Sequence, residues 1–142
     1  MFQQNSPKTI HVVAALIFRV APENSSQKQI LATQRGYGEF KGGWEFPGGK
    51  IEAGEKPENA LVREIQEELN AKILVKNFVH TIEYDYPNFH LSMECFACEL
   101  EENQEITLLE HKNAKWLDKK NLYSVDWLPA DGDVLKKVEE LL

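Results

Sequence analysis

Three carboxylates, Glu64, Glu67 and Glu68, stand at i, i+3 and i+4 within the stretch WEFPGGKIEAGEKPENALVREIQEELNA, residues 44–71. On a helix these positions share one face. Like charges so close cost roughly 0.2–0.5 kcal/mol per pair, and the cations nearest to them in sequence are Arg63 and Lys72. Such a cluster is either a solvated acidic face or a seat for a hard divalent cation, Mg²⁺ or Mn²⁺, which prefers oxygen ligands. The preceding Gly48-Gly49 pair favours the second reading. Without side chains its backbone can approach a ligand closely, and a carbonyl there adds one more oxygen.

The elements that must position these acids can be read locally. Pro57 suits a first helical turn, where its missing N–H is not needed, and Glu55 and Glu58 put negative charge near the positive end of the dipole. Leu61, Ile65 and Leu69 recur every fourth residue and give the helix one apolar stripe toward a core. Asn70 tolerates the left-handed conformation that stops a helix, at more cost than glycine.

The order Gly49, five residues, Glu55, seven residues, then Arg63-Glu64-Ile65-x-Glu67-Glu68 resembles the Nudix box of hydrolases acting on nucleoside diphosphate-linked substrates. Asn70 replaces the usual glycine, and Ala71 is a smaller apolar residue than usual. The segment from Trp44-Glu45 through the box is most similar to the MutT-like nucleoside triphosphate pyrophosphohydrolases. Weaker similarity runs on through EYDYPNFHLSMECF, EHKNAKW and WLPADGDVL, toward the bacterial branch acting on CTP and on oxidised or methylated nucleotides.

This resemblance implies an α/β fold, the Nudix αβα sandwich, with a mixed β-sheet between the box helix and a C-terminal helix. It also implies Mg²⁺- or Mn²⁺-dependent hydrolysis of a nucleoside triphosphate to monophosphate and pyrophosphate. Glu64, Glu67 and Glu68 would hold metal with the Gly48 carbonyl, and Glu110, on a mobile loop before Trp116, would hold metal or help activate water. Arg35 would contact the substrate phosphate or sugar. The base would meet Phe46 and Tyr86, with Asp131 reading its edge where MutT itself carries an amide.

The residues constrain these roles further. Glu64 and Glu110 are both candidates for the general base, and nothing in the sequence chooses between them. Arg63 has too high a pKa for that task and suits a forked grip on Glu55 or on a ligand carboxylate. Aromatic faces at Phe46 and Tyr86 suit a stacked base, although a buried Phe46 equally suits a core without ligand. An ionised Asp131 only accepts hydrogen bonds, so it prefers donor-rich edges such as the cytosine N4 amine, while a protonated one also donates. After Pro129 it is equally at home as a turn-former. ADP-ribose and diadenosine polyphosphate hydrolases are the nearest alternatives, and a silent nucleotide sensor is disfavoured because every box acid is present.

The chain has 142 residues, 42% hydrophobic and 27% charged, which suits a single domain over residues 1–142. A net charge of -7 argues against a nucleic-acid polymer as partner and leaves a phosphate substrate in need of counter-ions. Cys95 and Cys98, the two cysteines, make no disulfide framework and on a strand would face opposite sides as core thiols. His11, His80, His90 and His111 share no ligand spacing. With no signal peptide and no apolar run of membrane length, the expected state is a cytoplasmic monomer or homodimer, away from membranes.

Residues 1–8 read as a frayed end. Strands are expected over 10–20, 29–34, 44–46, 73–86, 89–100 and 114–117, with a loop over 21–28, a turn at Pro87-Asn88, and an acidic loop over 99–105. The 73–86 segment reads as a strand pair or one long bent strand. Asp118 or Asn121 would cap the turn after 117. A closing helix over 133–142 would bury Val134, Leu135, Val138, Leu141 and Leu142. The glycine-rich GYGEFKGG lacks the lysine and hydroxyl of a P-loop.

Overall fold

The computed structural model describes residues 8–142, so the expectation of a frayed end over residues 1–8 lies outside the described residues except at Lys8, which opens the first strand instead. The order is β1 (Lys8–Ala21), β2 (Asn24–Arg35), β3 (Trp44–Glu45), β4 (Gly48–Lys50), α1 (Pro57–Leu69), β5 (Ile73–Tyr86), β6 (Phe89–Leu100), β7 (His111–Leu117), α2 (Pro129–Gly132) and α3 (Leu135–Leu141).

The strands form one mixed sheet in the order β3-β2-β1-β6-β5, with β4 added to β1 and β7 to β2. β1 runs parallel to β6 and antiparallel to β2 and β4. Its pairing is divided. Val12–Ala14 pairs with β4, while Phe18–Ala21 pairs with β2. The divergence of β2 from β4 leaves space beside the Gly48–Gly49 bend.

Strand alternation sends the core to both faces. Ala14, Leu16, Ile30 and Ala32 pack toward Val134, Leu135 and Val138, on the side of α3. Val13, Ala15, Ile17 and Leu31 pack instead against Leu61, Ile65 and Leu69 of α1. The sheet is therefore sandwiched as expected. Cys95 and Cys98 fall in opposite clusters, both buried, and burial pushes their thiols up to about 12.

α1 begins at Pro57 and ends at Asn70, which adopts the left-handed conformation (φ 50, ψ 43) while its N–H donates to the Gln66 carbonyl. The segment over residues 73–86 is one strand, shifted in register between Val75 and Asn77 and again between Phe78 and His80.

Several expectations need correction. The loop expected over 21–28 shrinks to a two-residue turn, because β1 runs to Ala21 and β2 begins at Asn24. The acidic loop begins after Leu100, since Glu99 still pairs with Leu74. β7 starts at His111 rather than Ala114, with Asp118 Oδ1 accepting from the Asn121 N–H after it.

The closing helix expected over 133–142 is shorter, α3 over Leu135–Leu141, and a separate single turn, α2, precedes it from Pro129. Val134, Leu135 and Val138 are buried, whereas Leu141 is 38% exposed. Asp131, within α2, is buried and accepts from the Phe46 N–H.

Candidate active site

The box bend is held tightly on both sides. A Cβ at Gly48 would overlap the Val13 carbonyl, and one at Gly49 would overlap the Glu64 carboxylate. Gly48 is therefore required by the β1 backbone behind it, whereas a side chain at Gly49 would displace the Glu64 carboxylate in front.

Arg63 is the hub of the acidic face. Its Nε and Nη2 fork onto Glu55 at 2.9 Å each, while Nη1 donates to Glu64 Oε1 at 2.8 Å and to Glu67 Oε2 at 3.4 Å. The forked grip expected from sequence is present. It holds the Glu55 carboxyl down to about 2 and raises the guanidinium further above its ordinary value. Glu64 is shifted upward by burial, with Arg63 opposing.

Glu68 turns the other way. Its Oε2 is buried without a hydrogen-bond partner, and burial, helped by Glu64, Glu110 and Glu45, pushes the carboxyl up to about 9 against a backbone bond from Gly48. Glu67 is the exposed member. Thus the shared helix face divides: two acids are drawn to Arg63 and one is turned inward. Among the described residues no three such side chains have converged into a coordinating set.

Glu110 reaches this cluster through backbone tethers. Leu109 N–H donates to the Glu68 carbonyl and Thr107 N–H to the Leu69 carbonyl, which satisfies the end of α1. Glu110 thus stands at the end of the loop immediately before β7, a loop tied to α1 by those two bonds, with the Tyr37 hydroxyl 3.4 Å from its Oε1. A cavity of about 410 Å³ is lined by Gly48, Gly49, Glu68, Glu110, Arg35 and Glu45.

A second cavity, about 120 Å³, adjoins it and is lined by Phe40, Phe46, Tyr86, Phe89 and Asp131. Phe46 is 3% exposed and stacks near Trp127 with ring centroids 4.6 Å apart, so it is both core and cavity wall. Tyr86 is fixed by Phe89, Phe40 and Tyr84, and its hydroxyl accepts from the Ala130 N–H at 3.2 Å. Asp131 accepts from the Phe46 N–H at 3.0 Å, and burial pushes its carboxyl up to about 8, with Glu45 adding to the shift.

Arg35, expected to contact the substrate phosphate or sugar, lines both cavities. It forks onto Glu45, Nη2 to Oε1 at 2.6 Å and Nε to Oε2 at 3.2 Å, and donates to the Glu39 carbonyl. Glu45 is the residue that sequence reasoning passed over. It pairs with Thr33 across the ladder, which puts Arg35 two residues along on the same face. Only the register of β2 with β3 reveals that neighbourhood. His111, the histidine next to Glu110, has a nearly buried side chain 3.9 Å from Glu45, and burial lowers its pKa.

Acidic side chains beside a glycine bend thus stand next to a cavity walled by aromatic rings. The chain belongs to the NUDIX domain family, whose model matches residues 10–138. It is 35% identical to the 8-oxo-dGTP diphosphatase of Escherichia coli over 97 residues, 68% of this chain and 74% of that one. It is 29% identical over 141 residues to the CTP pyrophosphohydrolase of the same organism, 91% of this chain and 90% of that one. Among solved structures it resembles the E. coli ORF135 protein (TM-score 0.77, 28% identity, 99% of this chain and 95% of that one). The MutT protein of Methanosarcina mazei shares the fold at TM-score 0.76 and 18% identity, covering 97% of each chain. The protein is a hydrolase of the Nudix family. No helix among the described residues is long and apolar enough to cross a membrane.

Proposed function

We propose that this chain hydrolyses a nucleoside triphosphate, oxidised or pyrimidine in base, to the monophosphate and pyrophosphate, using Mg²⁺ or Mn²⁺. One observation carries the reading: the aromatic-walled cavity adjoins the acidic one, so a base and its phosphates can be held together. The names of the relatives, acting on 8-oxo-dGTP and on CTP, support the same substrate class.

The donor set fits a hard cation. Glu68 carries a buried carboxylate oxygen without a partner beside Gly48, with Glu64 and Glu110 adding charge. Glu64, Glu67, Glu68, Glu110 and the Gly48 carbonyl would hold the metal. When bound, a divalent ion neutralises the polyphosphate and lowers the pKa of the attacking water. The protein's own groups do the rest. Glu64 or Glu110 takes the proton of the attacking water, and Arg63, anchored by Glu55, keeps Glu64 oriented. Phe46 and Tyr86 sandwich or wall the base while Asp131 meets its edge. Arg35 keeps guanidinium N–H groups beyond those given to Glu45 and Glu39, and these face the phosphates.

The test is a pyrophosphate-release screen with Mg²⁺ across normal, oxidised and methylated nucleotides. The expected result is turnover of at least one triphosphate, with Glu67→Gln lowering it by about a hundredfold. Full activity in that variant rejects the metal assignment.

A further inference from the structure

The aromatic cavity takes two of its rings from the end of the β5–β6 hairpin, and the turn that closes this hairpin fits it badly. Tyr86 pairs with Phe89 as the last step of the ladder, with Pro87 and Asn88 between them. Two-residue turns that match the twist of their strands need a positive φ at the first residue, which the proline ring forbids. Among the described residues the non-glycine positions at positive φ are Phe40, Asn70 and Asn103, so Asn88 does not supply one either. The remaining turn types splay the strands they join. The step left insecure is the stacked pair Tyr86–Phe89, ring centroids 5.1 Å apart, which lines the cavity.

The opposite face of the hairpin carries a clasp. Strand alternation puts Glu83, Asp85, His90 and Ser92 on the side away from Tyr86 and Phe89. His90 Nδ1 lies 2.6 Å from Asp85 Oδ1 and Nε2 lies 2.8 Å from Glu83 Oε1, while the Ser92 hydroxyl donates to Glu83 Oε2 at 3.0 Å. Ionised carboxylates only accept, so both ring nitrogens carry protons in this arrangement. One side chain thus ties β6 to β5 at two points beside the turn. The hydrogen bonds to Asp85 and then to Glu83 raise the ring above its ordinary pKa, and His90 in turn lowers that of Glu83. From β1, His11 shares this face as the neighbour of Ser92, and Glu94 follows on β6. When the ring loses a proton, a nitrogen lone pair faces a carboxylate oxygen, and one tie becomes a repulsion.

We infer that protonated His90 is a positioning residue: from the far face of the hairpin it holds Tyr86 and Phe89 as a wall for the bound base, so nucleotide affinity depends on its proton. This rests on the nucleotide reading of the site. His90 lies outside the linings of both cavities, so it acts through the two rings rather than on the nucleotide. Its contribution is complete below about pH 6.5, the ordinary histidine value, and is lost as pH rises through the raised one. Two partly exposed charge pairs set the scale at about three- to tenfold in affinity.

The test joins two titrations of the intact protein. NMR follows the His90 ring without ligand from about pH 5.5 to about pH 9.5, and calorimetry follows the binding of CMP and 8-oxo-dGMP over the same range. The variants are His90→Gln and the double variant Glu83→Gln/Asp85→Asn. Asp131 and Glu68 also titrate in this range, but they are present in every protein, so the readout is the affinity of wild type divided by that of His90→Gln. That ratio is expected to be about three to ten at low pH and to fall toward one as the ring deprotonates. In the double variant the ring should titrate nearer its ordinary value of about 6.5, and the step in affinity should move with it. In turnover assays the loss in His90→Gln should appear in KM rather than kcat.

Binding with a ratio that ignores pH, a step that stays in place while the ring's titration moves, or a loss confined to kcat overturns this inference alone. Failure of both monophosphates to bind defeats the nucleotide reading and takes the inference with it. A pH-dependent ratio in a protein that hydrolyses no triphosphate defeats the hydrolytic reading and leaves His90 in its role.

Discussion

Arg63 lies within ion-pair distance of four carboxylates, Glu52, Glu55, Glu64 and Glu67, and its geometry ranks them. Only Glu55 receives the two-pronged grip, so Glu55 is the anchor and Glu64 the group being aimed. The depressed carboxyl of Glu55 makes a signed prediction. Its folded value, about 2, lies below the ordinary one, so its contribution to stability is present above about pH 4.5 and vanishes as pH falls toward 2. Urea midpoints of wild type and Glu55→Gln should therefore differ at neutral pH and converge in acid. Midpoints offset by the same amount at every pH would remove Glu55 from the account. Gly49 gives a second test at the same scale. Gly49→Ala pushes a methyl into the Glu64 carboxylate, so turnover should fall by roughly ten- to a hundredfold while circular dichroism stays native. Unimpaired hydrolysis in that variant would mean that the position of Glu64 is not what the bend controls.

The elements that carry the site differ in how visible they are from sequence. α1 announces itself, because Pro57, the four-residue spacing of Leu61, Ile65 and Leu69, and Asn70 are all local signals. Its termination makes a measurable claim. Asn70→Gly relieves a side chain held at positive φ, and should raise stability by about 0.5–1 kcal/mol in denaturant titrations. The exposed bond from Gln66 to Asn70 is lost, at a cost smaller than that gain. A destabilised glycine variant would show that this side-chain bond outweighs the backbone strain. Other elements were only partly legible. The pattern of Val134, Leu135 and Val138 found the buried face of the closing segment. It did not give the separate turn α2 ahead of α3, because nothing local says that Asp131 answers a backbone amide 85 positions away. The tether of Leu109 and Thr107 to the last turn of α1 is equally non-local, and it brings the loop that carries Glu110 against the helix. Glu45 escaped notice for the same reason. Its meaning lies in which strand stands opposite, and spacing along one strand cannot supply that.

At the scale of the whole molecule, the pair Phe46–Asp131 ties the box strand to the C-terminal segment across the side of the core that faces α3. A buried carboxyl in that position makes global stability depend on pH. Its folded value, about 8, lies above that of an unfolded aspartate, so the native state holds a proton that the unfolded chain has released. Stability on this account is highest below about pH 4 and declines as pH rises toward 8, with a slope of at most about 1.4 kcal/mol per pH unit. Asp131→Asn keeps an oxygen for the Phe46 amide and removes the titration. Glu68 shifts in the same direction, but it is present in both proteins and cancels to first order in their difference. Unfolding free energies of the two proteins, measured in urea from pH 5 to pH 8, should therefore diverge, with the asparagine variant gaining steadily toward alkaline pH. Parallel curves would mean that Asp131 stays ionised throughout. It would then meet a bound base as an acceptor alone, and the cytosine N4 amine would become the edge to test first.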